Sequence, residues 1–148
     1  MTGTVFVDTN VLVYVRDRTD ERKQRLAASW MAALWESRRG RVSYQVLQEY
    51  YVTATRKLDP PRDAADARED VWALRAWKPE PADHEVLDTA WTAQDRFGLS
   101  WWDALIVAAA LGAKCRWLLT EDLQDGLEIL GLTVLNPFSH APEDVLGA

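Results

Sequence analysis

Short apolar runs set among long helix-period stretches are the feature that most narrows what this chain can fold into. Thr4-Val-Phe-Val7, Arg116 to Thr120 and Leu132 to Leu135 each read as a buried strand, and Arg41-Val-Ser43 as a briefer one. Between them apolar residues recur at helical spacing. Trp30, Met31, Leu34 and Trp35 do so within Ser29 to Glu36, with Asp20 and Glu21 as start signals upstream. Further helices are expected over Asn10 to Val15, Tyr44 to about Lys57, Arg62 to Trp77, Asp83 to Phe97 and about Trp101 to Gly112. Pro60-Pro61 closes one of these, and Gly98 stops another. Strands separated by helices pair in parallel, because parallel neighbours need crossovers. The expected class is therefore α/β, an α/β/α sandwich around a central parallel sheet.

One domain over residues 1–148 is expected from a length of 148 and a hydrophobic content of 48%, enough for a core without disulfides. Lys78 to Ala82, with Pro79 and Pro81, is the clearest linker, but its length is that of a loop. After Leu135 come an Asn136-Pro137 turn and a polar tail. The longest apolar run, Ala104 to Leu111, is far short of the roughly 18 residues a bilayer requires. Met1 to Thr4 lacks the basic and apolar parts of a signal peptide, so a cytoplasmic location is expected. Cys115 is the single cysteine, and with His84 and His140 it forms no zinc-site spacing. A net charge of −6 argues against a protein that coats nucleic acid with a basic surface. It leaves room for an enzyme that gathers carboxylates around a divalent cation.

Several acids stand where such chemistry would need them. Asp8 falls at the end of the first strand, where ligands of open α/β sheets bind, although it could equally cap the next helix. Glu49 sits among Val46, Leu47, Tyr50, Tyr51 and Val52, so its charge either points into a cleft or joins Gln45 and Thr53 in a solvated stripe. Asp103 is the only charge between Gly98 and Ala113, and Ser100-Trp-Trp-Asp103 also fits a capping box. Asp122 follows the strand Arg116 to Leu119 as Asp8 follows the first, with Asp125 a nearby alternative and a solvated turn the plain reading.

The segments Val5-Phe-Val-Asp-Thr-Asn-Val-Leu-Val-Tyr14, Ser43-Tyr-Gln-Val-Leu-Gln-Glu-Tyr50, Leu99-Ser-Trp-Trp-Asp-Ala-Leu-Ile106 and Leu118-Leu-Thr-Glu-Asp-Leu-Gln-Asp-Gly126 resemble PIN domains in order and spacing. They closely resemble VapC-type toxins, as does the ending Leu132-Thr-Val-Leu-Asn-Pro-Phe138. The resemblance implies a PIN-like fold and an acidic metal site of Asp8, Glu49, Asp103 and Asp122, catalytic and binding Mg²⁺ or Mn²⁺. It also implies Thr9 and Asn10 as supports near Asp8, Ser100 as organiser of the Asp103 loop and Thr120 as a hydroxyl near the fourth acid. The implied activity is endoribonuclease cleavage of RNA by the toxin of a VapBC-type pair, with a VapB-type antitoxin as partner and often a homodimer as assembly.

A silent PIN-fold scaffold and a stand-alone RNA-processing nuclease are the alternatives. A haloacid-dehalogenase-like phosphatase fits poorly because Asn10 replaces the second acid of its Asp-x-Asp pattern, and the order of acids does not suit a receiver-like module. Trp30, Trp35, Trp72, Trp77, Trp91 and Trp117 are expected in packing rather than as base-stacking platforms. Arg16, Arg18, Arg22, Lys23 and Arg25, or Arg38, Arg39 and Arg41, could follow an RNA backbone or simply face solvent.

Overall fold

The computed structural model describes residues 3–147. Met1 and Thr2, on which the expectation of a leaderless start partly rests, lie outside the described residues. The chain runs β1 (Val5–Val7), α1 (Thr9–Arg16), α2 (Glu21–Ser37), β2 (Gly40–Arg41), α3 (Tyr44–Arg56) and α4 (Ala64–Ala73). A 3-10 turn (Leu74–Trp77) leads to α5 (His84–Phe97), α6 (Trp101–Gly112), β3 (Trp117–Leu119), β4 (Glu128–Ile129), β5 (Leu132–Leu135) and α7 (Pro142–Leu146).

The five strands form one sheet in the order β2-β1-β3-β5-β4, parallel except for β4 against β5. Val5, Phe6, Val7, Leu118 and Leu119 are fully buried, which is why β1 and β3 read as continuous apolar runs. Helices flank the sheet. α1 packs on α2 and α3, and α3 on α4, while α5 packs on α6, which lies along β3 and β5. Val7 pairs with Leu119, and Leu119 with Leu135, so the carboxyl ends of the three central strands are level. The Asp8 amide donates to the Leu119 carbonyl (3.0 Å) and the Thr120 amide to that of Leu135 (3.0 Å), carrying the alignment one residue past the strands. No helix among the described residues is long and apolar enough to cross a membrane.

Several elements differ from the sequence reading. The brief strand lies at Gly40–Arg41 rather than Arg41 to Ser43, because Ser43 turns to cap α3, its hydroxyl accepting from the Val46 amide (3.3 Å). The helix expected over Arg62 to Trp77 starts at Ala64 and ends in the 3-10 turn. That turn lays Trp77 against Gly40, where an added Cβ would come within 2.5 Å of the indole. The Lys78 to Ala82 linker also pairs: the Glu80 amide donates to Val42 and the Tyr44 amide to Glu80. The polar tail contains α7, and β4 makes a short hairpin with β5. Trp30, Trp77 and Trp117 pack in the core as expected, whereas Trp35, Trp72 and Trp91 are exposed.

Candidate active site

Asp8 follows the last residue of β1 and caps α1, and it is only 6% exposed. Its Oδ1 accepts from the Thr9 amide at 2.7 Å. Its Oδ2 accepts from the Thr120 hydroxyl at 2.9 Å and from the Asn10 amide group at 3.4 Å. One oxygen therefore caps α1 and the other faces the neighbouring strand end. Burial pushes the Asp8 carboxyl up to about 7, against the opposing hydrogen bonds from Thr120 and Thr9, with Asp122 and Glu49 adding repulsion.

Asp122 reaches the same edge from β3. The Asn10 amide group donates to Thr120 Oγ1 (3.0 Å) and to Asp122 Oδ2 (3.1 Å), while Thr120 Oγ1 accepts from the Asp122 amide (3.1 Å). Desolvation holds the Asp122 carboxyl above the usual range, opposed by the Asn10 bond and reinforced by the charges of Asp103, Glu121 and Glu49. Asp125 points elsewhere. Its carboxylate accepts from the Asn136 amide (2.9 Å) and meets His140 Nε2 (2.9 Å), so it ties the chain beyond β5.

Glu49 is half-buried on α3. Its Oε1 accepts from Gln45 Nε2 (2.8 Å) and its Oε2 from the Thr9 hydroxyl (2.9 Å), which turns it toward the start of α1 rather than into an open polar stripe. Asp103 lies in the first turn of α6, where the Ser100 hydroxyl accepts from its amide at 3.2 Å. Only half of the capping box forms, because the Asp103 carboxylate accepts no hydrogen bond among the described residues.

The four acids thus face one region without meeting at a point. Among the described residues, no group of three or more Asp, Glu, His or Cys side chains is arranged to hold a metal ion. Asp122 and Glu49 bear electrostatically on Asp8, and Asp103 and Glu49 on Asp122. The donor set nevertheless fits a hard divalent cation: all donors are carboxylate oxygens, one is costly to ionise as it stands, and one accepts no hydrogen bond among the described residues. The supports Thr9, Asn10, Ser100 and Thr120 all lie within hydrogen-bonding reach of the acids or of their backbone.

Gln45, read in the sequence as part of a solvated stripe with Glu49, instead braces Glu49 one helical turn away, and a second support escaped that reading. Glu121 accepts from the Tyr14 hydroxyl and from Lys23 Nζ (2.9 Å), a cross-link between β3, α1 and α2 that no local pattern announces.

Level strand ends bearing Asp8 and Asp122, with Glu49 and Asp103 on flanking helices, define an α/β domain with a candidate acidic site. The chain belongs to the PIN-domain family, whose model matches residues 5–124. PIN domains are generally nucleases and typically use divalent metals. A toxin–antitoxin complex from Klebsiella pneumoniae superposes with a TM-score of 0.66 at 20% identity, over 90% of this chain and 98% of the other. VapBC2 from Rickettsia felis, bound to a DNA fragment from its promoter, gives 0.56 at 13% identity, over 88% and 96%. At such identities the likeness is one of fold. No curated protein matches the sequence.

Proposed function

We propose that this chain is a Mg²⁺- or Mn²⁺-dependent endoribonuclease and the toxin of a VapBC-type toxin–antitoxin pair. The observation that carries the reading is the joining of Asp8 and Asp122 through Asn10 and Thr120 at the carboxyl ends of two strands of a PIN-domain sheet, with Glu49 bonded to Thr9 beside them and the Asp103 carboxylate accepting no hydrogen bond among the described residues. Asp8 and Asp103 are the principal residues to hold the ion, and Glu49 and Asp122 complete the pocket. Once bound, the ion supplies the acidity that readies a water for attack on phosphorus and offsets charge on the phosphoryl oxygens.

The chain's own residues prepare the site. Thr9 and Thr120 fix both oxygens of Asp8, so its orientation is set before any ligand arrives. Asn10 spans Thr120 and Asp122 and keeps the two strand ends in register. Ser100 fixes the turn that presents Asp103, and Gln45 with Thr9 braces Glu49.

Two solved neighbours of the same fold come from toxin–antitoxin complexes, which supports a cognate VapB-type antitoxin as partner. A carboxylate cluster suits an arginine from such a partner, which can pair bidentately in place of a cation. A ribonuclease acting on the cell's own RNA would work in the cytoplasm, and a homodimer is the expected assembly, readable by light scattering.

The test is incubation of the purified chain with a mixed RNA pool and Mg²⁺, Mn²⁺ or EDTA, with mapping of new ends. Internal cleavage with either ion and none with EDTA is expected. Cleavage indifferent to EDTA defeats the metal assignment, and no cleavage with any ion leaves a silent scaffold. The open reading frame adjoining the gene should encode a protein that co-purifies and suppresses cleavage. If it does neither, a stand-alone RNA-processing nuclease remains.

A further inference from the structure

A groove bearing two arginines, with a His140 wall paired to Asp125, lies across Tyr14 from the acids. Arg22, Arg25 and Leu26 of α2 line one side, and Phe138, Ser139 and His140 the other, around a volume of about 360 Å³. Its walls are held together from within. Trp30, fully buried on α2, donates its indole N–H to the carbonyls of Pro137 (3.0 Å) and His140 (2.9 Å), fastening the segment after β5 to the helix. The groove also connects to the acids: Phe138 packs edge-on against Tyr14 at 5.2 Å, and the Tyr14 hydroxyl donates to Glu121, the residue before Asp122.

The structure sorts the basic residues of this region by what they touch. Arg16 is committed to Asp70 (2.9 Å) and Lys23 to Glu121 (2.9 Å). Arg22 and Arg25 are exposed and hold no ion pair or hydrogen bond among the described residues. Three residues apart, they share one face of α2. Free surface arginines are usually just solvated, but these two line a concavity whose Phe138 wall connects through Tyr14 to Glu121, beside Asp122. The larger groove between α3 and α4, about 620 Å³, differs in kind. It is mostly apolar, and its Arg75 and Arg68 lie over the rings of Trp72 (3.8 Å) and Tyr51 (5.8 Å).

We infer that the groove between α2 and the Phe138 segment carries the backbone of single-stranded RNA beyond the scissile bond, its phosphates held by Arg22 and Arg25. The inference rests on the ribonuclease reading above and adds a path for the strand. Guanidinium groups present paired donors to phosphate oxygens, and a positive groove with an aromatic wall suits a single strand. The net charge of −6 makes such a local patch necessary, since the molecule as a whole repels a polyanion.

The test compares the full chain with the double variant Arg22→Ala/Arg25→Ala in Mg²⁺, using a short single-stranded RNA and a dinucleotide too small to reach the groove. For the longer RNA, KM should rise on the order of tenfold with kcat little changed, and the salt slope of log(kcat/KM) should shrink by about 1.4, roughly 0.7 per lost phosphate contact. The dinucleotide should be cleaved as before. Arg68→Ala/Arg75→Ala, which removes the same charge from the other groove, should leave KM unchanged. Circular dichroism confirms that both variants are folded. An unaltered KM and salt slope in the first variant, or an equal rise in the second, overturns the path while leaving the ribonuclease standing. Wild-type protein that cleaves no RNA removes both.

Discussion

The two sides of the acid pocket are built by opposite means. On the strand side, both oxygens of Asp8 are engaged, and Asn10 and Thr120 join it to Asp122. On the side of α6, Ser100 fixes the backbone of Asp103, but the carboxylate itself accepts nothing among the described residues. One wall is tied together by hydrogen bonds within the fold, and the other presents a partly exposed carboxylate with no hydrogen-bond partner among the described residues. The difference teaches where to look for function: internal hydrogen bonds set the position of a charge, while an unpaired carboxylate beside other acids marks where a cation gains most.

The largest effect is expected at the completed wall. Asp8→Asn should reduce metal-dependent RNA cleavage on the order of 10³-fold or more, because several kcal/mol of transition-state stabilisation depend on the ion. The same variant should alter stability with pH. Burial raises the folded Asp8 carboxyl from 3.8 to about 7, so the folded chain retains a proton that the unfolded chain releases. That contribution is fully present below pH 3.8 and is lost as pH rises through 7. In EDTA, the wild type should therefore lose several kcal/mol relative to Asp8→Asn between about pH 4 and pH 8, an order-of-magnitude figure. The difference between the two proteins is the measurement, because Asp70 and Asp125 are held below the usual range and push the other way. Parallel melting curves at every pH would show that Asp8 is not the strained group.

The unfinished wall can be broken in two distinguishable ways. Asp103→Asn should lower cleavage on the order of 10²-fold or more with melting unchanged to within about 0.5 kcal/mol, since no protein hydrogen bond is lost. Ser100→Ala removes the cap on α6 and should cost about 1 kcal/mol, with the smaller loss of activity. If Asp103→Asn melts lower and cleaves normally, the acid serves the helix and not the pocket.

How much of this was legible follows from how locally each feature is determined. β1 and β3 were readable because full burial demands unbroken apolar runs, and β5 because Leu132, Val134 and Leu135 are buried around a single half-buried Thr133. β4 was not: it is two residues long, and its turn puts Leu130 at φ 53 before Gly131 at φ 91, a conformation that leucine does not signal. α7 is five residues long, and Pro142 with the acids Glu143 and Asp144 in its first turn were its sequence marks. Asp8 and Asp122 could be placed from strand ends, and Glu49 from its apolar neighbours. The bonds from Thr9 to Glu49 and from Asn10 to Asp122 could not, because they join segments brought together only by the crossovers.

The smallest effect concerns two acids of one loop that the sequence left as rivals, and it sharpens the same contrast between committed and available carboxylates. Asp125 is committed: the Asn136 amide holds its carboxyl below the usual range, helped by His140, and the pair spans the end of β5. It is also well exposed, with 38% of its side-chain surface open, so screening limits what the bonds are worth. Asp125→Asn should cost less than about 1 kcal/mol and leave RNA cleavage near the wild-type rate. The cost should fade as pH drops through the folded pKa of Asp125, where the wild-type carboxylate is itself neutralised. Asp122→Asn should do the reverse, holding its melting temperature or gaining slightly in EDTA as repulsion from Asp103, Glu121 and Glu49 is relieved, while cleavage falls. Activity lost in Asp125→Asn and kept in Asp122→Asn would exchange their roles and place the fourth acid on the His140 side of the loop.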